Sequence, residues 1–211
     1  MSIQEYLEKM TAIQNSFLEY LDKSNEYEEE YHGLIKLLDT HNIKTNHHDL
    51  KSFLHMIIKV CNNHIQTFDF YAKVERILAY IKTEIKQSFS NYDIFILFRS
   101  NKKLLLYLIK ETILELTQYI AETIIYGKYS KLNYIEFLYP EIKQFLPDDM
   151  IESVSKSLPE NFEENRQIGS NHFPLCRIIQ NDSIDEFIAY VNEKNIYLGG
   201  TINHSIFETN S

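Results

Sequence analysis

The stretch FPLCRIIQNDSIDEFIAYVNEKNI, Phe173 to Ile196, decides how the chain reads. Two short apolar runs flank a polar turn around Asn181 and Asp182. Pro174 stands near the start of the first run, where its fixed φ suits a helix and its missing N–H costs nothing. Ser183 followed by Glu186 has the spacing of a capping box. It opens a helix from Ile184 to Glu193 whose apolar face is Ile184, Phe187, Tyr190 and Val191. A short helix, a turn and a second short helix cannot bury their apolar faces alone. They must stack on something. The stretch therefore points to a binding scaffold rather than a catalyst, and it names no partner.

Composition supports helices on the N-terminal side as well. The chain has 211 residues, 44% hydrophobic and 24% charged, enough for one domain or two small ones with a real core. It has only five Gly and four Pro, and its first Pro is Pro140. Strand-and-turn folds need such residues at regular intervals, so long helices on polar connectors are expected over the first 139 positions. The net charge of −9 disfavours nucleic acid as a partner; Arg99, Lys102 and Lys103 form the densest basic cluster. No apolar run is long enough for a membrane span, and MSIQEYLEKM lacks the character of a signal peptide. Two cysteines, Cys61 and Cys176, are too few for a disulfide framework, so a reduced, cytoplasmic compartment is expected.

The helical period recurs along the chain. Ile3, Tyr6, Leu7, Met10, Ile13, Phe17 and Leu21 form a first stripe behind a Ser2–Glu5 capping box, ending near Lys23. Ser24 or Asn25 can cap a second helix, with Glu26, Glu28, Glu29 and Glu30 in its first turn and Tyr31, Leu34, Ile35 and Leu38 inward. Thr45 and Asn46 can cap a third, with Asp49 in its first turn and an apolar stripe of Leu50, Phe53, Leu54, Ile57, Ile58, Cys61 and Ile65. Thr67 or Asp69 can start a fourth with Val74, Ile77, Leu78, Ile81 and Ile85 inward. Ser90 with Asp93 opens Ile94 to Phe98, for which a strand competes with a helix. Asn101 opens a sixth helix, central in the core because its leucines leave no polar face before Lys110. Leu116, Ile120, Ile124 and Ile125 continue helically to a stop at Gly127. Pro140, Pro147 and Pro159 then enforce shorter helices, around Met150 to Ser157 and Asn161 to Ile168.

Against an ankyrin repeat, Pro174 and Leu175 match the Thr-Pro-Leu-His tetrad. Ile178 and Ile179 stand where small alanines are usual, and Asp182 replaces a Gly. Two isoleucines prevent the close approach of a neighbouring repeat and suit a junction with a differently shaped domain. A capped helical hairpin of any kind is the competing reading. Beyond this pattern, the segments YLEKMTAIQNSFLEYLDKS, IFILFRSNKKLLLYLI, FLYPEIKQFLP, PENFEENRQIG, LCRIIQNDSIDEFIAYVNEKN and SIFETNS carry a resemblance over nearly the full length. In that order they resemble a large family of ankyrin-repeat proteins, expanded in a flagellated parasitic protist, with a domain of unknown function. The resemblance implies a helical N-terminal region followed by repeats. The chain then looks like the N-terminal module alone, a short paralogue or the product of a truncated gene. It implies no catalytic residue.

Candidate chemistry is thin. His48 and Cys61 would lie roughly 20 Å apart on one helix, too far to share an ion. Cys61 with His64 supplies two ligands, and a core Cys beside a surface His is the preferred reading. His172 and Cys176 have a nucleophile–base spacing, but Pro174 between them breaks helical geometry. The fifteen Tyr and thirteen Phe read as core packing before a sticky interface. The Glu26 to Glu30 run reads as a solvated helix start. Gly199 and Gly200 form a turn, not a phosphate loop.

The expected fold is all-α, a multi-helix array or irregular bundle of helical hairpins ending in a degenerate ankyrin-like pair. Residues 1–168 form the helical domain, 170–197 the pair, and 198–211 a turn and tail. The expected function is a non-enzymatic protein-interaction scaffold. The alternatives are a cap or remnant with a structural role, and an enzyme with an unrecognised site. No cofactor, metal, nucleic acid or membrane is expected. The interaction surface is expected at Ile178, Ile179, Phe187, Tyr190, Val191, Ile196 and Phe207. The apolar C-terminal face, which also includes Leu198, Ile202 and Ile206, predicts self-association or a fitted protein partner.

Overall fold

A computed structural model describes residues 2–23, 26–63, 69–127, 132–168, 178 and 183–196. Among these the chain forms thirteen α-helices, one 3-10 turn and no strand. It divides into two compact units, Met1–Glu115 and Leu116–Ser211. The all-α expectation holds for the described residues.

The first unit contains seven helices: α1 Ile3–Asp22, α2 Glu28–Thr40, α3 His47–Asn63, α4 Phe70–Tyr80, α5 Lys82–Ser88, α6 Asn91–Phe98 and α7 Lys102–Lys110. Their starts follow from local chemistry. Ser2 and Glu5 close a capping box on α1, and Ser90 and Asp93 close another on α6. The helix reading of 94–98 is therefore the one the fold adopts. The Asn46 side chain accepts the Asp49 N–H, at 3.1 Å, ahead of α3. The Asn101 side chain likewise accepts the Leu104 N–H, at 3.0 Å, and starts α7.

Two starts and one stop differ from the sequence reading. Helix α2 begins at Glu28 after Tyr27, which makes no side-chain cap. Glu26 stands outside it at φ 53, a left-handed backbone that a helix cannot continue through. The proposed caps Ser24 and Asn25 lie outside the described residues. The single fourth helix is two, because Ile81 at φ −105 and ψ 14 leaves the helical region between α4 and α5. All five of its inward positions, Val74, Ile77, Leu78, Ile81 and Ile85, are nonetheless fully buried. Leu116 lies before the helix it was expected to join, since Thr117 caps a new start.

Helix α1 packs on α2 and α4, α3 on α6, and α6 on α7. The core centres on Phe17, Tyr20, Phe53, Phe70 and Phe98, with Leu104, Leu105 and Leu108 of α7 fully buried among the apolar residues. At these positions the aromatic abundance is core packing. Polar clamps tie the helices together. Buried Asn101 donates to Asn62 Oδ1 at 2.8 Å and to Tyr71 Oη at 3.3 Å, joining the start of α7 to α3 and α4. Lys73 reaches from α4 to the carbonyls of Leu21, 3.1 Å away, and Lys23, and pairs with Asp69 at 2.9 Å. It satisfies the exposed end of α1, where a cation is favoured by the helix dipole. Arg76 holds Glu28 with both terminal nitrogens, at 2.6 and 2.8 Å, while stacking over Tyr31.

The second unit contains α8 Gln118–Tyr126, α9 Leu132–Phe137, α10 Tyr139–Ile142, the 3-10 turn Lys143–Phe145, α11 Asp148–Ser157, α12 Phe162–Ile168 and α13 Ile184–Lys194. Helix α8 packs on α9 and on the 3-10 turn, and α9 packs on α11. Arg166 of α12 is buried and donates to Phe137 O at 3.1 Å, Glu141 at 2.6 Å and Glu163 at 2.9 Å. It thereby covers the C-terminal end of α9. Helix α13 corresponds to the second helix of the expected pair and has no buried residue. Ser183 precedes it without the expected capping bond. Of the first helix of that pair only Ile178 is described, and it is helical. The boundary near residues 168 to 170 and the tail 198–211 lie outside the described residues, apart from Ile168 itself.

Candidate functional site: a groove between the first and third helices

Helix α1 and helix α3 meet through their side chains, and polar bonds join the first half of each. The Lys9 ammonium pairs with Asp49 at 2.6 Å, with side chains only 9% and 7% exposed. Tyr6 donates its hydroxyl to Ser52 Oγ at 2.9 Å and stands 3.4 Å from His48 Nδ1. The Phe17 and Phe53 rings meet edge to face beneath, 6.2 Å between centroids. These contacts hold open a shallow groove of about 880 Å³.

Its floor comes from Met10, Met56 and Val60, and Leu7 forms one lip at 54% exposure. On α1 the lining residues Leu7, Met10, Thr11 and Gln14 are spaced as one helical stripe. On α3 the residues Ser52, His55, Met56, Lys59, Val60 and Asn63 are spaced in the same way. Methionine is unbranched and polarisable, so Met10 and Met56 let the floor adapt to different occupants. The volume lies within the range of small-molecule pockets, but the groove is open along its length. Among its titratable lining groups, His55 and Lys59 are exposed and Tyr6 is half-buried. Burial, together with Lys51 and Lys59, holds the His55 imidazole below the usual histidine range.

A second group of perturbed residues joins α4 to α7. Burial pushes the Glu75 carboxyl up, the Lys103 ammonium down and the Tyr107 phenol up to about 12. Such shifts flag catalytic groups in many sites. Here Tyr107 donates to the Glu75 carbonyl at 3.0 Å and Lys103 stacks over Tyr71 at 4.2 Å, so these groups hold two helices together.

The sequence-predicted site residues fall elsewhere. Phe187, Tyr190, Val191 and Ile196 are half-buried, as is Ile178. Ile179 and Phe207 lie outside the described residues, as do Leu198, Ile202 and Ile206. On the same helix Ile184 and Ile188 are 69% and 52% exposed, which makes them the open part of α13. Lys102 of the basic cluster is buried at the start of α7, so that cluster is not a surface patch. Cys61 is buried, and burial raises its thiol to about 12. His64, His172 and Cys176 lie outside the described residues. Among the described residues no group of three His, Cys, Asp or Glu could hold a metal, and no helix is long and apolar enough to cross a membrane.

The groove was not found by sequence reasoning, because its lining comes from two helices far apart in the chain. One signal was present: the α1 stripe is wider than a core face requires, and Ile3 and Leu7 are left outside. No family model, curated protein or solved structure matches the chain.

Proposed function

We propose that the chain is a non-enzymatic protein-interaction module of a cytoplasmic protein, using the α1–α3 groove as its contact surface. The observation that carries this reading is the groove itself: an open, methionine-floored trough with one apolar lip, between two helices locked by Lys9–Asp49 and Tyr6–Ser52. Such troughs suit a protein segment laid along them. The resemblance to ankyrin-repeat proteins supports the same class. The test is affinity capture from the source cell with the wild type, Leu7→Glu and Ile188→Glu, read by mass spectrometry. Partners lost with Leu7→Glu alone support the groove. Partners indifferent to both substitutions overturn it.

A second reading rests on the exposed Ile184 and Ile188. An apolar edge of this kind suits a cap that an ankyrin repeat would cover. Partners lost with Ile188→Glu alone favour that role.

A further inference from the structure

The floor of the groove is neutral, but one edge is not. Lys51, His55 and Lys59 follow one another at four-residue steps along exposed positions of α3; His55 and Lys59 line the groove, and Lys51 continues their row just beyond it. At about 1.5 Å per residue they place three cationic or ionisable groups at intervals of about 6 Å. The facing lip on α1, Leu7, Thr11 and Gln14, carries no charge. Lys51 and Lys59 form no ion pair among the described residues. Of the acidic groups nearby, Asp49 is paired with Lys9, whereas the Asp93 carboxylate, bonded by Ser90, keeps its charge and acts on Lys51. Lys51 and Lys59 also act on His55, since both contribute to holding its imidazole low.

This edge runs against the charge of the whole chain, which is −9. At physiological salt, charges farther than about 8 Å are largely screened. An occupant of the groove therefore meets the local lysines and not the net charge. We infer that the groove receives an amphipathic helix from a partner protein, its apolar stripe on Leu7, Met10 and Met56 and its acidic flank along Lys51, His55 and Lys59. The inference rests on the interaction-module reading and adds the chemistry of the partner. A helix answers the geometry because its own side chains recur every three and four residues, matching the stripes of both walls. Asp or Glu about eight residues apart, two turns along the helix, would match Lys51 and Lys59 in register, with His55, held low, between them. Apolar contact supplies most of the affinity, and the charged edge sets orientation and choice of partner.

The test uses the full chain and a displayed library of helical peptides with a fixed apolar stripe and randomised flanks. Selection is on the wild type, with counter-selection on Leu7→Glu. The best peptides are then titrated by fluorescence anisotropy. The expected binders carry Asp or Glu about eight residues apart on one flank. The double substitution Lys51→Glu, Lys59→Glu weakens them about tenfold, and changing the peptide acids to Lys restores binding to that variant. All three substituted residues are exposed, so the variants fold. Binders that depend on Leu7 but have neutral or basic flanks overturn the acidic-helix inference and leave the interaction reading standing. A chain that dimerises until Leu7→Glu is introduced names a second copy as the occupant and also overturns it. If no binder is sensitive to Leu7→Glu, both readings fall.

Discussion

The carbonyl oxygen of Thr123 occupies the place that a β-carbon on residue 127 would need. Gly127 ends α8 with φ −69 and ψ 163, a backbone open to any residue, so its freedom of rotation is not what the site uses. Its missing side chain is. The Gly127 N–H donates to that same carbonyl at 3.1 Å, which draws the two together.

Gly127→Ala should destabilise the protein by about 1–3 kcal/mol through overpacking against rigid backbone. Gly33 gives the control. It lies inside α2, and a β-carbon added there would meet nothing within 4 Å, so Gly33→Ala should stabilise by about 0.5–1 kcal/mol. Urea unfolding of both variants checks the opposite signs. Equal effects would show that the clash is relieved by a small shift of α8.

Lys73 is 1% exposed and serves the carbonyls that close α1, fifty-two residues earlier in the chain at Leu21. Lys73→Met keeps the aliphatic stem but removes the donor to both carbonyls and the ion pair with Asp69. The expected loss is about 2–4 kcal/mol. Amide exchange should also show the last turn of α1 opening first. Unchanged protection there would mean that water replaces the ammonium without cost.

Two serines with the same sequence signature should behave differently. Ser90 accepts the Asp93 N–H at 3.1 Å, whereas Ser183 makes no capping bond. Ser90→Ala should cost about 1 kcal/mol, and Ser183→Ala less than about 0.5 kcal/mol. Chemical denaturation of the pair decides the matter.

Alkaline conditions should unfold the chain earlier than its composition suggests. Burial raises the Cys61 thiol from 9.0 to about 12, and Tyr107 is also raised to about 12. An unfolded chain releases these protons first, so it binds fewer protons than the native state and stability falls as pH rises. The decline should begin near pH 9 and continue to about pH 12. Cys61→Ala should flatten the part nearest pH 9. In a Cys176→Ser background, Cys61 should react with a thiol reagent only on unfolding. Rapid native labelling would contradict its burial.

Much of the first unit was legible because its signals are local. Ser2, Ser90, Asn46 and Asn101 are short polar residues ahead of apolar stripes, and each caps its helix as read. The break at Ile81 was not legible, since apolar residues keep three- and four-residue spacing through it. Helix ends were hard to place in a chain with few glycines. Asn42 and Asn195 take left-handed backbone after α2 and α13, and Thr112 does so after α7 at φ 55. Asparagine tolerates that region, and a β-branched threonine advertises nothing of the kind. The C-terminal reading was half local: α13 is where its pattern put it, but its capping bond does not form. The groove depends on Leu7 and Met56 becoming neighbours, which no window of sequence contains.

The bond between Lys73 and the end of α1 also has a consequence for synthesis. A ribosome adding about 5–20 residues per second needs about 3–10 s to make the fifty-two residues between Leu21 and Lys73. During that interval the carbonyls of Leu21 and Lys23 lack the ammonium that later serves them. The end of α1 therefore gains its native hydrogen bonding only after α4 has been made, more than fifty residues later.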